Sequence, residues 1–208
     1  MKRNSMQDKI ATFGMFALPA MFFFCAVIFI PFLYGVYLTF TGWDGISATK
    51  DLVGFSNYVE VFKDVNFWSS LWLTIKYVVV STILVQIVAF LLAYILTSGI
   101  KAQNFFRAGF FTPNLIGGIV LGFIWQFVFS RALTTFGGAT GIPLFTTSWL
   151  SDPTKAFFAL VLVTVWQYSG YMMLIYVAGF VGVSKDVLEA VSVDGANGFQ
   201  KMRYIMIP

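Results

Sequence analysis

Four amides, Gln86, Asn114, Gln126 and Gln167, stand inside long apolar stretches of this 208-residue chain, with Trp125, Tyr168 and Tyr171 close to them in sequence. Amides and hydroxyls donate and accept hydrogen bonds, and aromatic faces offer flat apolar surface. Such a set can hydrogen-bond and stack against a polar solute. Polar groups are costly in hydrocarbon and are functional candidates for that reason. The same amides can instead bridge neighbouring helices, and spacing alone leaves both readings open. Catalysis has little to draw on. The chain has no histidine, which removes His-dependent triads and most zinc sites. Its one cysteine, Cys25, lies in an apolar run, where a buried thiol is the simple reading. No catalytic residue, metal ligand or cofactor-binding set is identified.

The elements that must position these residues follow from composition. Hydrophobic residues make up 59% of the chain, charged residues 11% and aromatics 19%, with 25 Phe. A soluble domain has roughly 45–50% apolar and ~25% charged residues, so this is an integral membrane protein of all-α class. Four stretches reach the ~20 residues that a helix needs to cross a bilayer: Phe13–Phe40, Leu71–Leu96, Phe110–Phe129 and Phe157–Val183. Pro19, Pro31 and Pro113 are expected to kink them. The first stretch has the basic start of a signal peptide, Lys2 and Arg3. Its apolar run is about twice the usual 7–15 residues and lacks a small-residue cleavage site, so it is expected to be retained.

Lys and Arg set orientation. With residues 1–12 inside, eight basic residues fall on inner segments (Lys2, Arg3, Lys9, Lys101, Arg107, Lys185, Lys201, Arg203) and four on outer loops (Lys50, Lys63, Arg131, Lys155). The chain is therefore read as multi-pass with a cytoplasmic N-terminus. The net charge of +4 is spread over segment ends, a pattern of topology and membrane lipid rather than of nucleic acid.

In the first outer loop Phe55, Tyr58, Val59 and Phe62 fall at i, i+3, i+4 and i+7, one face of a short helix that Ser56 or Asn57 could cap. It could meet an external partner, or pack at the membrane interface. The second outer loop, Arg131 to Lys155, reads as connecting chain with Trp149 as an interfacial anchor. Beyond the fourth span, Ser184 and Asn197 can each cap a short helix, and Gly195 permits the left-handed residue that separates them. Each helix has one apolar face, which fits either docking to another protein or lying flat on lipid.

That inner segment carries a resemblance. Glu189-Ala190-Val191, Asp194-Gly195-Ala196, Phe199 and Pro208 resemble the EAA loop of binding-protein-dependent ABC importer permeases of the carbohydrate-uptake (maltose and glycerol-3-phosphate) type. Gly54 to Tyr58 with Phe62, Asp64 and Phe67 is similar to that group's first outer loop. Phe106-Arg107, Pro113 and Trp125 are similar to its third span, and Trp149-Leu150 with Asp152-Pro153 to its next outer loop. Val191 and Ser184 stand where that loop usually has Ala and Pro.

The resemblance implies a permease domain over residues 13–208, with residues 184–208 as its coupling loop and four of a six-span type I core present, so that about two helices are expected to be missing. It implies a prokaryotic cell membrane, a second permease subunit and an extracellular or periplasmic solute-binding protein that delivers carbohydrate. It also implies two cytoplasmic ATPase subunits that bind the ATP, contacted by Glu189 and its neighbours. The absence of a G-x-x-x-x-G-K-[ST] phosphate loop from the chain agrees with that division. Under it Asn114, Trp125, Gln126, Gln167, Tyr168 and Tyr171 become candidates for the substrate path. A membrane-embedded lipid-modifying enzyme and a four-span channel or scaffold remain the rival expectations.

Overall fold

The computed structural model of the chain describes residues 6–207. Among the described residues, four helices are long and apolar enough to cross a membrane: Thr12–Leu38, Val65–Thr97, Gly118–Thr140 and Pro153–Gly182. They fall into two compact units, Met1–Trp72 and Leu73–Pro208.

In the first unit, α1 (Met6–Phe24) and α2 (Ile30–Leu38) are joined without a break by a wide turn over Cys25–Phe29. Its cause is Pro31, which lacks an N–H and whose ring presses on the carbonyl four residues back. The turn opens to an i→i+5 bond, Ile30 N–H to Cys25 O, and the span continues past the proline. Beyond it the chain folds back on itself. Thr41 and Leu52 form an antiparallel bridge, flanked by Gly42 N–H to Asp51 O and Val53 N–H to Phe40 O, both 2.9 Å.

The short helix expected from the Phe55–Phe62 spacing is α3 (Ser56–Lys63). Neither Ser56 nor Asn57 caps it; the N-cap is Phe55, with no side-chain bond. Asn57 instead turns its amide back to the first span, donating to Thr39 O and Thr41 O at 2.9 Å each. The Tyr58 hydroxyl adds a bond to Thr39 Oγ1 at 2.7 Å. Asn57→Ala removes two bonds at once and is expected to lower stability by about 1–2 kcal/mol, measured as a shift in the thermal unfolding of the purified protein.

In the same loop Asp44 Oδ1 accepts from Ser47 N–H at 2.8 Å and Ile46 N–H at 2.9 Å. These backbone donors, Ser47 first, hold its carboxyl at about 2 against an ordinary 3.8. A depressed folded pKa contributes stability that is fully present above the ordinary value and fades as pH falls through about 2. Amide exchange at Ile46 and Ser47, corrected for intrinsic rate, is therefore expected to stay constant from neutral pH down to about 4. Loss of protection above pH 4 would contradict this.

The boundary between the units falls within α4 (Val65–Thr97), and the second unit is built on the part of α4 from Leu73 onward and on α8 (Pro153–Gly182), which run parallel. On α4 the buried residues Ser81, Val85, Ala89 and Ala93 recur every fourth position, which places them on one face of the helix. Ala89, Ala93 and Leu96 pack on Met173, Val177 and Phe180 of α8. Two hydrogen bonds cross the seam: Tyr77 to Thr164 at 2.6 Å and Tyr176 Oη–H to Gln86 Oε1 at 2.7 Å. Both lie at matching depths along the two helices, so α4 and α8 run in the same direction and the chain crosses back between them.

That return crossing differs from the expected Phe110–Phe129 span. It is broken into α5 (Gln103–Phe111), a tight turn Thr112–Leu115, and α6 (Gly118–Phe127), which a wide turn Val128–Ala132 joins to α7 (Leu133–Thr140). Buried Pro113 breaks it, and the crossing resumes at Gly118. The helix then runs to Thr140, through much of what reads as the second outer loop. Within it Thr134 and Thr140 satisfy their hydroxyls on Ser130 O and Phe136 O. Trp149 is not a free anchor: its ring stacks on Phe129 and Phe145, and its N–H bonds Leu144 O at 3.1 Å.

Two contacts fix α5. The Arg107 guanidinium donates to Leu96 O at 2.8 Å, placing positive charge on the C-terminal end of α4. At Gly170 of α8 the backbones are so close that a Cβ would lie 1.8 Å from Phe110 O.

Candidate functional site

The segment that follows the fourth span forms the two capped helices expected of it. Ser184, standing where the resembled loop usually has Pro, caps α9 (Lys185–Val193), its side chain accepting from Val187 N–H at 3.4 Å. The helix ends at Asp194 with Gly195 at φ +77°. Gly195 N–H bonds Ser192 O and Ala196 N–H bonds Val191 O, both at 3.2 Å, the paired C-terminal closure known as a Schellman motif. Asn197 then opens α10 (Gly198–Lys201) with a reciprocal capping box: Gln200 N–H to Asn197 Oδ1 at 2.9 Å, and Asn197 N–H to Gln200 Oε1 at 2.8 Å. A wide turn over Met202–Met206 continues it.

Lys201 Nζ to Ser192 Oγ, 2.6 Å, ties the two helices across the glycine turn. The angle between them is thus set by a glycine conformation, two caps and one side-chain bond. Glu189, Ala190, Asp194 and Phe199 are exposed and Ala196 is half-buried. Phe199 is 68% and Val193 87% exposed, which gives this segment an apolar surface beside an acidic one. Pro208 lies outside the described residues. On its other side the segment touches the unit's core: Met206 packs on the Ala89–Phe180 cluster, and Gly198 lies beside the Tyr94 hydroxyl of α4.

The polar residues of the spans separate into bridges and free groups. Gln86 is a bridge, taken by Tyr176. Trp125 and Gln126 face a cavity of about 260 Å³, together with Gly118, Gly122, Thr164 and Leu160. The Trp125 ring stacks on Phe129 and meets Trp166 edge-on, while its buried Nε1–H has no acceptor. The G-x-x-x-G spacing of Gly118 and Gly122 is not a tight contact, since a Cβ at either would meet nothing within 4 Å. Gln167, Tyr168 and Tyr171 share a face of α8 by spacing, but none of them lines that cavity, nor does Asn114 of the Thr112–Leu115 turn. The structure therefore brings together two of the six path candidates. Sequence gave no sign of the stacked row Trp125–Phe129–Trp149–Phe145, which depends on the return of the loop onto the span.

No family model matches the chain. Among curated proteins it is similar to the probable starch degradation products transport system permease protein AmyD of Thermoanaerobacterium thermosulfurigenes, 38% identical over 94% of this chain and 66% of that one. It is 33% identical to the probable ABC transporter permease protein YesP of Bacillus subtilis, over 99% of this chain and 67% of the relative. With YurN of the same organism, also a probable ABC transporter permease protein, the figures are 30%, 97% and 70%. The chain thus spans about two thirds of the length of these relatives. In fold it matches a chain from a bacterial ABC transporter involved in import of the acidic polysaccharide alginate, with a TM-score of 0.81 and 17% identity, covering 98% of this chain and 68% of that one.

Proposed function

The chain belongs to the permease proteins of ABC transporters, and from that premise we propose that it forms part of a carbohydrate translocation path worked by separate ATPase subunits. The roles of the proteins it is similar to, transport of starch degradation products and import of a polysaccharide, support a sugar or oligosaccharide as the solute. The observation that carries the mechanism is the inner two-helix segment. Its angle is fixed internally, Glu189, Asp194 and Phe199 face outward, and Met206 reaches the α4–α8 core. A rigid, exposed element joined to the spans is what a partner needs in order to move them.

In this reading the cytoplasmic ATPase receives Phe199 and Val193 in a cleft, with Glu189 making polar contact. ATP is bound and hydrolysed there, and this chain supplies no group to that chemistry. Eight inner against four outer basic residues support a cytoplasmic N-terminus in a prokaryotic cell membrane. A second permease subunit would complete the path and a solute-binding protein would load it from outside. Along the path Trp125 and Gln126 offer a free N–H donor and an amide beside the cavity they line. Asn114, Gln167, Tyr168 and Tyr171 are the further polar candidates.

The test is reconstitution of the complete importer in vesicles, with sugar uptake and ATPase activity measured together. Phe199→Asp places a charge in the proposed apolar contact and is expected to cost the complex its ATPase on purification and to lower uptake by roughly tenfold or more, as loss of about 1.4 kcal/mol or more of binding would. Uptake and co-purification equal to the parent would overturn the docking role.

A further inference from the structure

The short helix α3 is amphipathic, yet no residue of it is buried. Its apolar face, with the preceding Phe55, is 70% exposed at Phe55, 36% at Tyr58, 48% at Val59 and 58% at Phe62. Ser56, Asn57 and Glu60 lie away from that face, and Lys63 lies at its flank. A face of this kind needs a cover.

Both ends of the helix are fastened within its own unit, one to the end of the first span and the other to the first turn of α4. The first turn is held by Asn57 to the carbonyls of Thr39 and Thr41, immediately beyond the last residue of the first span, Leu38. The last turn is held by the Trp68 indole, whose Nε1–H donates to Phe62 O at 2.9 Å. A single extended residue, Asp64, separates α3 from α4, and its carboxylate caps the new helix through Asn66 N–H at 2.8 Å. Eight residues of helix are about 12 Å long. Tied at its first turn to the end of the first span and at its last turn to Trp68, so short a rod stays close to the ends of the helices it joins.

The surroundings continue the same surface. Phe40 packs on Phe55 and Tyr58, and Phe62 packs on Phe67 and Trp68. Trp68 and Trp72, in the first turns of α4, are themselves 49% and 58% exposed. Aromatic rings in this density mark the headgroup level of a bilayer, and the long stem of Lys63 can cover apolar surface while its ammonium stays in water. We propose that α3 lies within the headgroup layer of the leaflet on its side, its Phe55–Tyr58–Val59–Phe62 face covered by lipid, as an interfacial anchor at the end of the first span.

Single nitroxide labels at Val59, Phe62 and Glu60, in the complete permease reconstituted into phosphatidylcholine vesicles, test this directly. Collision rates are measured with oxygen, which concentrates in lipid, and with a water-soluble nickel chelate. The labels at Val59 and Phe62 are expected to favour oxygen several-fold over nickel relative to the label at Glu60. Equal nickel access at all three positions would place the helix in water and overturn the proposal. Shielding of Val59 and Phe62 from both reagents would show a protein cover instead of lipid and would overturn it equally. All three side chains are exposed, so the labels leave the packed interior intact. The result is independent of which solute the permease carries.

Discussion

Gly170→Val is expected to leave little correctly folded protein. A Cβ at Gly170 would lie 1.8 Å from Phe110 O, 2.5 Å from Phe110 C and 3.0 Å from Phe111 N. All three atoms belong to backbone, so no side-chain rotation can relieve the contact, and α8 would have to move off α5. Overpacking a core typically costs about 1–3 kcal/mol when side chains can adjust; with backbone on both sides, about 3 kcal/mol or more is expected. The same shift would draw α5 away from α4 and strain the Arg107 bond to Leu96 O. Thermal unfolding in detergent, followed by size exclusion, measures the effect. Gly179→Ala is the matched comparison on the same helix: a Cβ there meets nothing within 4 Å, and a change within about 0.5 kcal/mol is expected. A Gly170→Val protein as stable as the Gly179→Ala protein would refute the close approach.

The second large effect falls on Gly195. Space is not its constraint, for a Cβ at this position also meets nothing within 4 Å. Its constraint is φ of +77°. Left-handed geometry costs a residue other than Gly roughly 1–2 kcal/mol, and a β-branched residue is a true outlier there. Gly195→Val therefore opens the closure made by Gly195 and Ala196 N–H and changes the angle that Lys201 and Ser192 bridge. Uptake by the reconstituted importer is expected to fall roughly tenfold or more, as about 1.4 kcal/mol or more would dictate, while partner ATPase activity persists. Asn accepts the left-handed region far better, so Gly195→Asn should keep most of the uptake. Equal uptake by the Val and Asn variants would remove the conformational argument, whereas loss in both would point to the surface around Gly195 instead.

The two cases divide what the sequence makes legible from what it does not. Everything around Gly195 is local: Ser184, Asn197 and Gln200 act over three residues, so side-chain type and spacing announce both helices. The long apolar runs announce the spans in the same way. Gly170 looks like any glycine in a membrane helix, because its partner, Phe110, lies sixty residues earlier. Asn57 was legible as a cap and acts instead as a tie to carbonyls sixteen and eighteen residues away. Arg131, Thr134 and the Gly137-Gly138 pair have the composition of a loop, but they are helical where the following chain packs back on them, Trp149 stacking on Phe129 and the Phe145 backbone lying against Gly137. Of the path candidates, Trp125 and Gln126 share a cavity while Gln86 is spent on a bridge, a choice made by tertiary contact alone.

The two hydrogen bonds between α4 and α8 have a mechanical meaning. Tyr77–Thr164 and Tyr176–Gln86 sit at two depths of one seam, so neither helix can slip along the other by a turn without breaking both. Met206 packs against the Ala89–Phe180 end of the pair. If the inner segment docks as proposed above, a push on α10 would reach both helices of the pair together through Met206.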